Sequence, residues 1–190
     1  MHNSHRYKLD PAVRAWVTSD LHFGHANVMK FCPKTRPFNS VHELNVAMII
    51  EWNSKVGDND VIFHLGDFTF TKDERVISGI LAMLNGIHIF IGGNHDQGLR
   101  RMAAKGLVEL YDYLEVLDGN DMIVMSHYPM RAWNRNHRGS THMYGHCHGS
   151  IPDLGRSTDV GWDNQGGCIC NLRSLNAKLK EREIVVLDGH

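Results

Sequence analysis

The sequence predicts an α/β protein with two packed β-sheets that are flanked by helices. In the first half of the chain, short apolar runs alternate with segments of helical periodicity, which is the pattern of βαβ units with parallel strands. In the second half, apolar runs follow one another across short polar turns, as is typical of β-hairpins. A chain of 190 residues is an ordinary length for one domain, so we expect residues 1–190 to form a single domain.

The first half supplies three strands and three helices in this prediction. Residues 1–11 are polar and predict a loose lead-in, and apolar runs then predict strands at residues 15–18, 61–65 and 87–91. Ser40–Glu43 and Thr71–Glu74 have the capping-box pattern, which predicts the starts of helices that end near residues 55 and 84. A third helix, with a weaker apolar face, is expected from about residue 98 to residue 105.

The second half is predicted to consist mainly of strands. Residues 111–117 and 122–125 lie on either side of a polar turn that contains Gly119, and this arrangement indicates a hairpin. Residues 157–162 and 184–187 have the composition of strands, and we expect no long helix between them. A helix-rich first half followed by a strand-rich second half is what favours two packed sheets.

The composition argues against several classes of partner. The formal net charge is −1, so nothing attracts the whole molecule to nucleic acid or to an anionic membrane, and we expect no large nucleic-acid interface. No apolar run approaches the roughly 20 residues of a membrane span, and the N-terminus carries no apolar signal segment. The four cysteines form no Cys-x-x-Cys pair, which favours reduced thiols and a cytoplasmic location. The oligomeric state stays open.

Side chains of the types that bind metals follow the predicted strands. They are Asp20 and His22 after the first strand, Asp67 after the second, Asn94 after the third, His127 after the hairpin, and His146 and His148 in a glycine-flanked turn. Because the carboxyl ends of parallel strands meet at one edge of a sheet, we expect these side chains to lie close together.

The chemistry of this set predicts a pair of metal ions. Carboxylates, imidazoles and one amide, with no thiolate, suit manganese, iron, zinc or nickel. Seven ligands are too many for one such ion, whereas two ions about 3.5–4 Å apart that share a carboxylate would use them all. We therefore expect two divalent transition-metal ions as cofactors, with manganese favoured and iron, zinc or nickel as alternatives.

Five short motifs occur in a characteristic order between Ser19 and Gly149. They are Asp-x-His, Gly-Asp, Gly-Asn-His-Asp, a lone histidine and Gly-His-x-His. With these motifs the chain resembles the calcineurin-like metallophosphoesterases. The resemblance implies a four-layer α/β/β/α sandwich, in which two mixed sheets are flanked by helices. It also implies a metal-dependent hydrolase that cleaves phosphate esters by in-line attack of a hydroxide bridging the two metals.

The resemblance assigns a role to each matching position. It implies that Asp20, His22 and His148 hold the first metal, that Asn94, His127 and His146 hold the second, and that Asp67 bridges both. His95 and Asp96 are the implied catalytic pair. His95 would contact the phosphate and protonate the leaving oxygen, and Asp96 would orient His95 through a hydrogen bond.

The sequence departs from the family where substrate contacts are expected. Many members carry an aspartate, and often an arginine, soon after the Gly-Asp motif, whereas this chain continues with Phe68–Phe70. The substrate-binding candidates are His25, Arg36, Arg131 and Trp133. The last two belong to Met130–Met143, a basic segment that we expect to form the rim of the site. The alternative is a solvated loop with Trp133 packed beneath it. An aromatic beside basic groups favours a nucleotide or nucleic-acid end as substrate, with a phosphodiester favoured over a phosphomonoester.

Other interpretations of the same residues remain open. His95-Asp96 is also the pair of the HD-type phosphohydrolases, although that fold is almost entirely helical. A non-catalytic, metal-binding scaffold of the phosphoesterase type is a second alternative, and the metal content per chain would test it. Outside the ligand set, His64 is expected to be structural, and Asp159 and Asp163 are expected to be turn or sheet-edge groups.

Overall fold

The framework is built from two mixed β-sheets of five strands each, as the computed structural model of the chain shows for residues 6–187. The first sheet has the order β10-β2-β3-β4-β5, and its strands are parallel except for the antiparallel edge strand β10. Its strands are β2 (Ala15–Thr18), β3 (Val61–His64), β4 (Ile87–Ile91), β5 (Glu109–Tyr111) and β10 (Cys170–Asn171).

The second sheet has the order β1-β6-β7-β8-β9. Its strands are β1 (Arg6–Lys8), β6 (Tyr113–Asp118), β7 (Asp121–Ser126), β8 (Thr141–Tyr144) and β9 (Ser157–Asp159). Strands β6 and β7 form the predicted antiparallel hairpin, and the other neighbours run parallel. This architecture confirms the predicted α/β class with two mixed sheets flanked by helices.

Five α-helices and one short 3₁₀ helix accompany the sheets among the described residues. They are α1 (Val28–Phe31), α2 (Val41–Lys55), α3 (Glu74–Leu81), α4 (Gln97–Ala104), α5 (Leu172–Lys180) and the 3₁₀ turn Asn136–Arg138. Within residues 6–187, none of the helices has both the length and the apolar character that a membrane crossing requires.

Alternation along the strands of the first sheet creates two apolar cores. Ile62 and Phe90 face one side, where they belong to the cluster that includes Leu44 of α2. Phe63 and Ile89 face the other side and pack with residues of the second sheet. Since successive side chains of a strand point to opposite faces, buried runs such as β3 serve both cores at once.

The local signals for two helix starts had different outcomes. Ser40 caps α2 as predicted, because its hydroxyl accepts a hydrogen bond from the Glu43 N–H at 3.1 Å. The prediction of Thr71 as the cap of α3 was wrong, since the cap is Asp73, whose carboxylate accepts from the Arg75 N–H at 2.9 Å. Aspartate is as good a cap as threonine, and the helix begins where its carboxylate reaches the amide.

Three further predictions were wrong at the chain ends. Arg6–Lys8 is not a loose lead-in but pairs with β6, while residues 1–5 of that prediction lie outside the described residues. The segment 184–187 is not a strand, although its Val185 carbonyl accepts a hydrogen bond from Asn136. The nine-residue helix α5 was missed, even though Asn171 caps it by accepting from the Ser174 N–H.

Candidate metal centre

The seven predicted ligands meet where strands of both sheets end. Asp20, Asp67 and Asn94 follow β2, β3 and β4, while His127 and His146 follow β7 and β8. Hydrogen bonds join the turns of the two sheets, since the His146 N–H donates to the Asp20 carboxylate at 2.9 Å and the Trp162 N–H donates to the Ser19 carbonyl at 3.0 Å. The ends of the two sheets therefore form one shared edge, as the positions of these residues in the sequence predict.

One group of potential ligands consists of Asp20, His22 and His148. A ligand atom from each residue lies within 4.8 Å of the others. The two Nε2 atoms of His22 and His148 are 3.3 Å apart, and the rings stack with a centroid distance of 5.2 Å. Asp20 Oδ1 lies 3.9 Å from His22 Nε2 and 4.0 Å from His148 Nε2. The three atoms converge closely enough to share one ion.

A second group consists of Asp67, His127 and His146, whose ligand atoms also lie within 4.8 Å of one another. His127 Nε2 also lies 3.1 Å from Asn94 Oδ1, so the amide joins this group. The Nδ1 atom of His127 is 2.8 Å from the Leu65 carbonyl. If Nδ1–H donates there, Nε2 keeps its lone pair toward the centre, which is the form that binds a metal.

Asp67 lies between the two groups. Its Oδ2 atom is 3.7 Å from His22 Nε2 in the first group, and its Oδ1 atom is 3.7 Å from His127 Nε2 in the second. The side chain is almost completely buried. One carboxylate oxygen thus faces each group.

The backbone at the centre is strained. Six non-glycine residues of the described range have a positive φ, between 47° and 68°. Five of them are predicted ligands, namely Asp20, His22, Asp67, His146 and His148, and the sixth is Arg135. Left-handed backbone costs on the order of 1–2 kcal/mol for each non-glycine residue, and such residues cluster at functional sites. The fold therefore holds these ligand side chains in place against a local conformational preference.

Two glycines allow the backbone to approach the ligands closely. A Cβ atom on Gly93 would overlap the carboxylate and backbone N–H of Asp67. A Cβ atom on Gly145 would overlap Ser19 and the Asp20 carboxylate. Any side chain at these two positions would displace a predicted ligand.

Two buried polar atoms in the first group have no hydrogen-bond partner among the described residues. They are Asp20 Oδ1 and His22 Nδ1. Burial raises the pKa of Asp20 to about 8 and, with the neighbouring His148, lowers the pKa of His22 to about 2. The buried Asp20 carboxyl lies next to the neutral imidazole of His22, which supplies no positive charge, and divalent ions would supply it. The donor set thus fits the metals that the sequence predicts.

Asp163 lies in a turn, as expected, but the sequence interpretation missed its contact with the predicted ligand His148. Its Oδ2 atom lies 2.6 Å from Nδ1 of His148, and Arg36 donates to both of its carboxylate oxygens at 2.9 and 3.0 Å. Burial opposes ionisation, but the hydrogen bonds from His148 and Arg36 hold the pKa of Asp163 below its usual range. A carboxylate behind a ligand histidine fixes its ring and tautomer.

Arg36 was wrongly predicted to bind substrate. It is 1% exposed, and besides Asp163 it donates to the backbone carbonyls of Asp20 and Leu21. All of its donors are directed into the protein, behind the ligand loop. Its sequence position in a polar loop carried no sign of this burial.

His95 lies at the open edge of the centre. Its side chain is 39% exposed, its Nε2 atom is 3.9 Å from Asp67 Oδ2, and its backbone N–H donates to Asp67 Oδ1 at 2.9 Å. No hydrogen bond joins the Asp96 carboxylate to the His95 ring among the described residues, contrary to the prediction. The Asp96 carboxylate instead accepts from the N–H groups of Asp67, Phe68 and Gly93 at 2.7–2.9 Å. Asp96 therefore shapes the turns that carry the ligands.

The other predicted substrate-binding residues lie in different surroundings. His25 stacks on Phe70 at 4.1 Å with an angle of 10° between the rings, beside His22. Trp133 was wrongly expected at the rim, because it is 7% exposed, packs with Met122 and Val124, and donates to a backbone carbonyl. Arg131 is exposed and borders an apolar cavity of about 410 Å³.

The comparisons with known proteins agree with this arrangement. A model of the family described as "calcineurin-like phosphoesterase" matches residues 13–190, a range that contains all seven predicted ligands. A solved structure of a protein of unknown function from Aquifex aeolicus shares the fold with a TM-score of 0.68 at 20% identity. The alignment covers 87% of this chain and 99% of that one.

Two curated proteins are similar in sequence. An uncharacterised protein of Methanocaldococcus jannaschii is 41% identical over 85 residues, which cover 44% of this chain. The match spans 47% of the archaeal protein, so this chain corresponds to about half the length of that relative. The gene 66 protein of Mycobacterium phage D29 is 30% identical over 163 residues, covering 72% of this chain and 79% of that protein.

Proposed function

We propose that this chain, which belongs to the calcineurin-like phosphoesterase family, is a metal-dependent hydrolase of phosphate esters. Its proposed substrates are phosphodiesters of the nucleotide type. The proposed centre binds two divalent ions, with manganese as the native metal and iron, zinc or nickel as alternatives. Asp20, His22 and His148 hold one ion, Asn94, His127 and His146 hold the other, and Asp67 contacts both.

The observation that carries this proposal is the placement of the Asp67 carboxylate. Its Oδ2 atom lies 3.7 Å from His22 of the first group, and its Oδ1 atom lies 3.7 Å from His127 of the second. A bridging carboxylate needs this arrangement, with one oxygen toward each ion. Two bound divalent ions would place positive charge against the phosphoryl oxygens and acidify a water for attack on phosphorus. His95, exposed at the edge of the centre, holds the proton that the leaving oxygen receives.

Few fixed cations surround the open edge of the centre, and this favours a diester. Arg36 is buried, and the segment after the Gly-Asp motif contributes Phe70 rather than a charged residue. A monoester is close to a dianion at neutral pH, whereas a diester carries one negative charge. A substrate with less charge needs fewer cationic partners besides the metals.

Phe70 and His25 form an aromatic surface beside the proposed general acid. Phe70 is 46% exposed, although it is a large apolar side chain. Its ring stacks on His25 at 4.1 Å and lies 5.1 Å from the ring of His95. An exposed pair of stacked rings next to the reacting phosphate suits a nucleobase, because every base has a face that can stack. This pair replaces Trp133 as the proposed stacking partner.

Replacing Phe70 with alanine is expected to raise KM for a dinucleotide roughly 10-fold, because base stacking contributes about 1–3 kcal/mol. Hydrolysis of a methyl nitrophenyl phosphate, which has no base, should change much less. Leu107→Ala is the matched control, since Leu107 is 62% exposed and precedes β5 at the opposite edge of the sheet. Equal effects of Phe70→Ala on both substrates would contradict the stacking role.

Arg131 stays a proposed substrate contact. Its exposed side chain borders the apolar cavity together with Ile151, and the two residues lie on the segments that follow His127 and His148. The proposal therefore assigns this cavity to the second half of the diester.

The metal content provides the direct test of the centre. Protein loaded with manganese should contain two ions per chain by elemental analysis, and a chelator should remove both the ions and the activity. The thermal midpoint should rise on loading, because ligands that bind only the folded state stabilise it. One ion per chain, or none, would contradict the two-ion proposal.

The two alternative functions make different predictions. The HD-type alternative requires an almost entirely helical fold, which ten strands in the described residues rule out. A non-catalytic scaffold would bind the ions but would not hydrolyse bis-nitrophenyl phosphate above the rate of free manganese. Measuring turnover of the diester and the monoester with the same protein separates the scaffold from the enzyme and ranks the two substrate classes.

A further inference from the structure

A polar cavity lies beside the second sheet, at the end that is remote from the metal centre. It has a volume of about 200 Å³ and is lined by charged residues from four segments, which include Asp121, Arg138 and Arg156. Asp121 begins β7, whereas the ligand His127 follows the end of that strand. Six residues of strand at about 3.3 Å each separate the two places by roughly 20 Å. The cavity is therefore not part of the proposed catalytic site.

Positive charge is concentrated around this cavity. Arg135, Arg138, Arg156 and Lys180 line it together with a single carboxylate, that of Asp121. Lys180 pairs with Asp121 at 2.5 Å. Within residues 6–187 the three arginines have no carboxylate partner; Arg156 donates to backbone carbonyls, and the exposed Arg138 donates to His137 Nε2 at 3.2 Å. Three guanidinium groups without a carboxylate partner make this cavity locally positive in a chain whose formal net charge is −1.

The backbone of Arg135 carries a second, independent signal. Its φ of 59° and ψ of 22° place it in the left-handed region, and the other five non-glycine residues with positive φ are all proposed metal ligands. Backbone strain at a non-glycine residue points to function where the surrounding structure enforces it. Here the left-handed residue is Arg135, which lines the cavity.

Buried and partly buried hydrogen bonds stabilise this conformation. The Trp133 indole donates to the Ser140 carbonyl at 3.3 Å, and the Ser140 hydroxyl donates to the Asn134 carbonyl at 2.7 Å. Asn136, which is 2% exposed, donates to the Val185 carbonyl at 2.7 Å. The turn that carries Arg135 and Arg138 is thus fixed before any ligand binds, which reduces the ordering cost of binding.

We propose that this cavity is a second, non-catalytic binding site for a phosphoryl oxyanion, either free phosphate or the phosphate of a nucleotide. The guanidinium group of arginine can donate two parallel hydrogen bonds to two oxygens of one phosphate, and it is positively charged at any physiological pH. The volume is below the roughly 300 Å³ at which pockets for larger ligands begin, so it suits the oxyanion and not a whole nucleotide. A nucleotide would bind with its base outside the cavity.

The test is a titration of the ¹⁵N-labelled full chain, followed by amide chemical shifts. Inorganic phosphate is the first probe and a nucleoside monophosphate is the second. The Gly139 and Ser140 amides should shift with either probe, and they should still shift in Asp67→Asn, in which the catalytic centre is disabled. Similar affinities for both probes identify the oxyanion alone as the ligand, and tighter binding of the monophosphate identifies a nucleotide.

The variants Arg135→Gly and Arg138→Gln should each raise the dissociation constant for phosphate about 10-fold or more. Glycine accepts the left-handed backbone, so Arg135→Gly should keep the fold, as a thermal melt would show. Arg135→Lys keeps the charge and should bind better than Arg135→Gly. Arg75→Gln removes an exposed arginine of α3, away from the cavity, and should change nothing. Amide shifts confined to the metal centre, or an affinity that neither variant lowers, would overturn the proposal.

Discussion

The substitution Asp67→Asn is expected to disable the two-ion centre and leave the fold intact. Asparagine has the same shape, and its carbonyl oxygen can still accept the hydrogen bond that the His95 N–H donates to Oδ1 at 2.9 Å. It lacks the negative charge that Asp67 places between His22 and His127. We expect kcat/KM to fall by at least about 10²–10³-fold, the range seen when one preorganised electrostatic group is removed from a site.

The control for this variant lies at the other end of β3. Asp58→Asn makes the same chemical change at an exposed position before β3, at the end of the strand remote from the centre, and should leave activity and metal content unchanged. Elemental analysis should find fewer than two ions in Asp67→Asn, and its circular dichroism spectrum should match that of the parent. An Asp67→Asn protein with two ions and full turnover would show that the bridge is unnecessary.

The ligand positions could be predicted because the apolar run of a strand and the polar side chain that follows it are neighbours in the sequence. A short apolar run predicts a buried strand, and the side chain after the run lies at the strand end whatever the rest of the fold does. Asp67 after β3 and Asn94 after β4 are of this kind. The edge at which they meet follows from parallel pairing, which the helical segments between the runs already indicate.

The surroundings of the centre could not be predicted in the same way. The roles of Arg36 and Asp163 depend on an ion pair across 127 residues of sequence, and nothing local distinguishes a buried loop arginine from an exposed one. Trp133 lies between basic residues in the sequence, yet its indole packs inward while Arg135 and Arg138 face a cavity. Burial is a property of the packed chain, and composition alone does not determine it.

Helix α5 and segment 184–187 show how tertiary pairing decides between similar signals. Leu172, Leu175 and Leu179 have helical spacing, and Asn171 is a suitable cap, so the signal for α5 was present in the sequence. The residues 184–187 have the composition of a strand, but they pair with no strand among the described residues. A strand needs a neighbour, and single-sequence patterns do not supply one.

Replacing His95 with alanine is expected to slow turnover of alkyl phosphodiesters by roughly 10²–10⁴-fold, the span of a general acid. The imidazole lies at the open edge of the centre and is 39% exposed, so no core packing is lost. The metal content should stay at two ions per chain, because His95 belongs to neither group of converging ligand atoms. His42→Ala, at an exposed position on α2, is the control for removing a surface histidine.

A comparison of leaving groups tests whether His95 acts by donating a proton. An alkoxide leaves poorly unless it is protonated, so alkyl esters should show the full loss in His95→Ala, whereas a nitrophenolate leaves as the anion and should show a much smaller one. His95→Gln keeps a donor of similar reach without an acidic proton, so it should restore binding, measured as KM, more than kcat for alkyl esters. If the alanine variant loses the same factor on nitrophenyl and alkyl esters, His95 only binds the phosphate, and the proton reaches the leaving oxygen from another source.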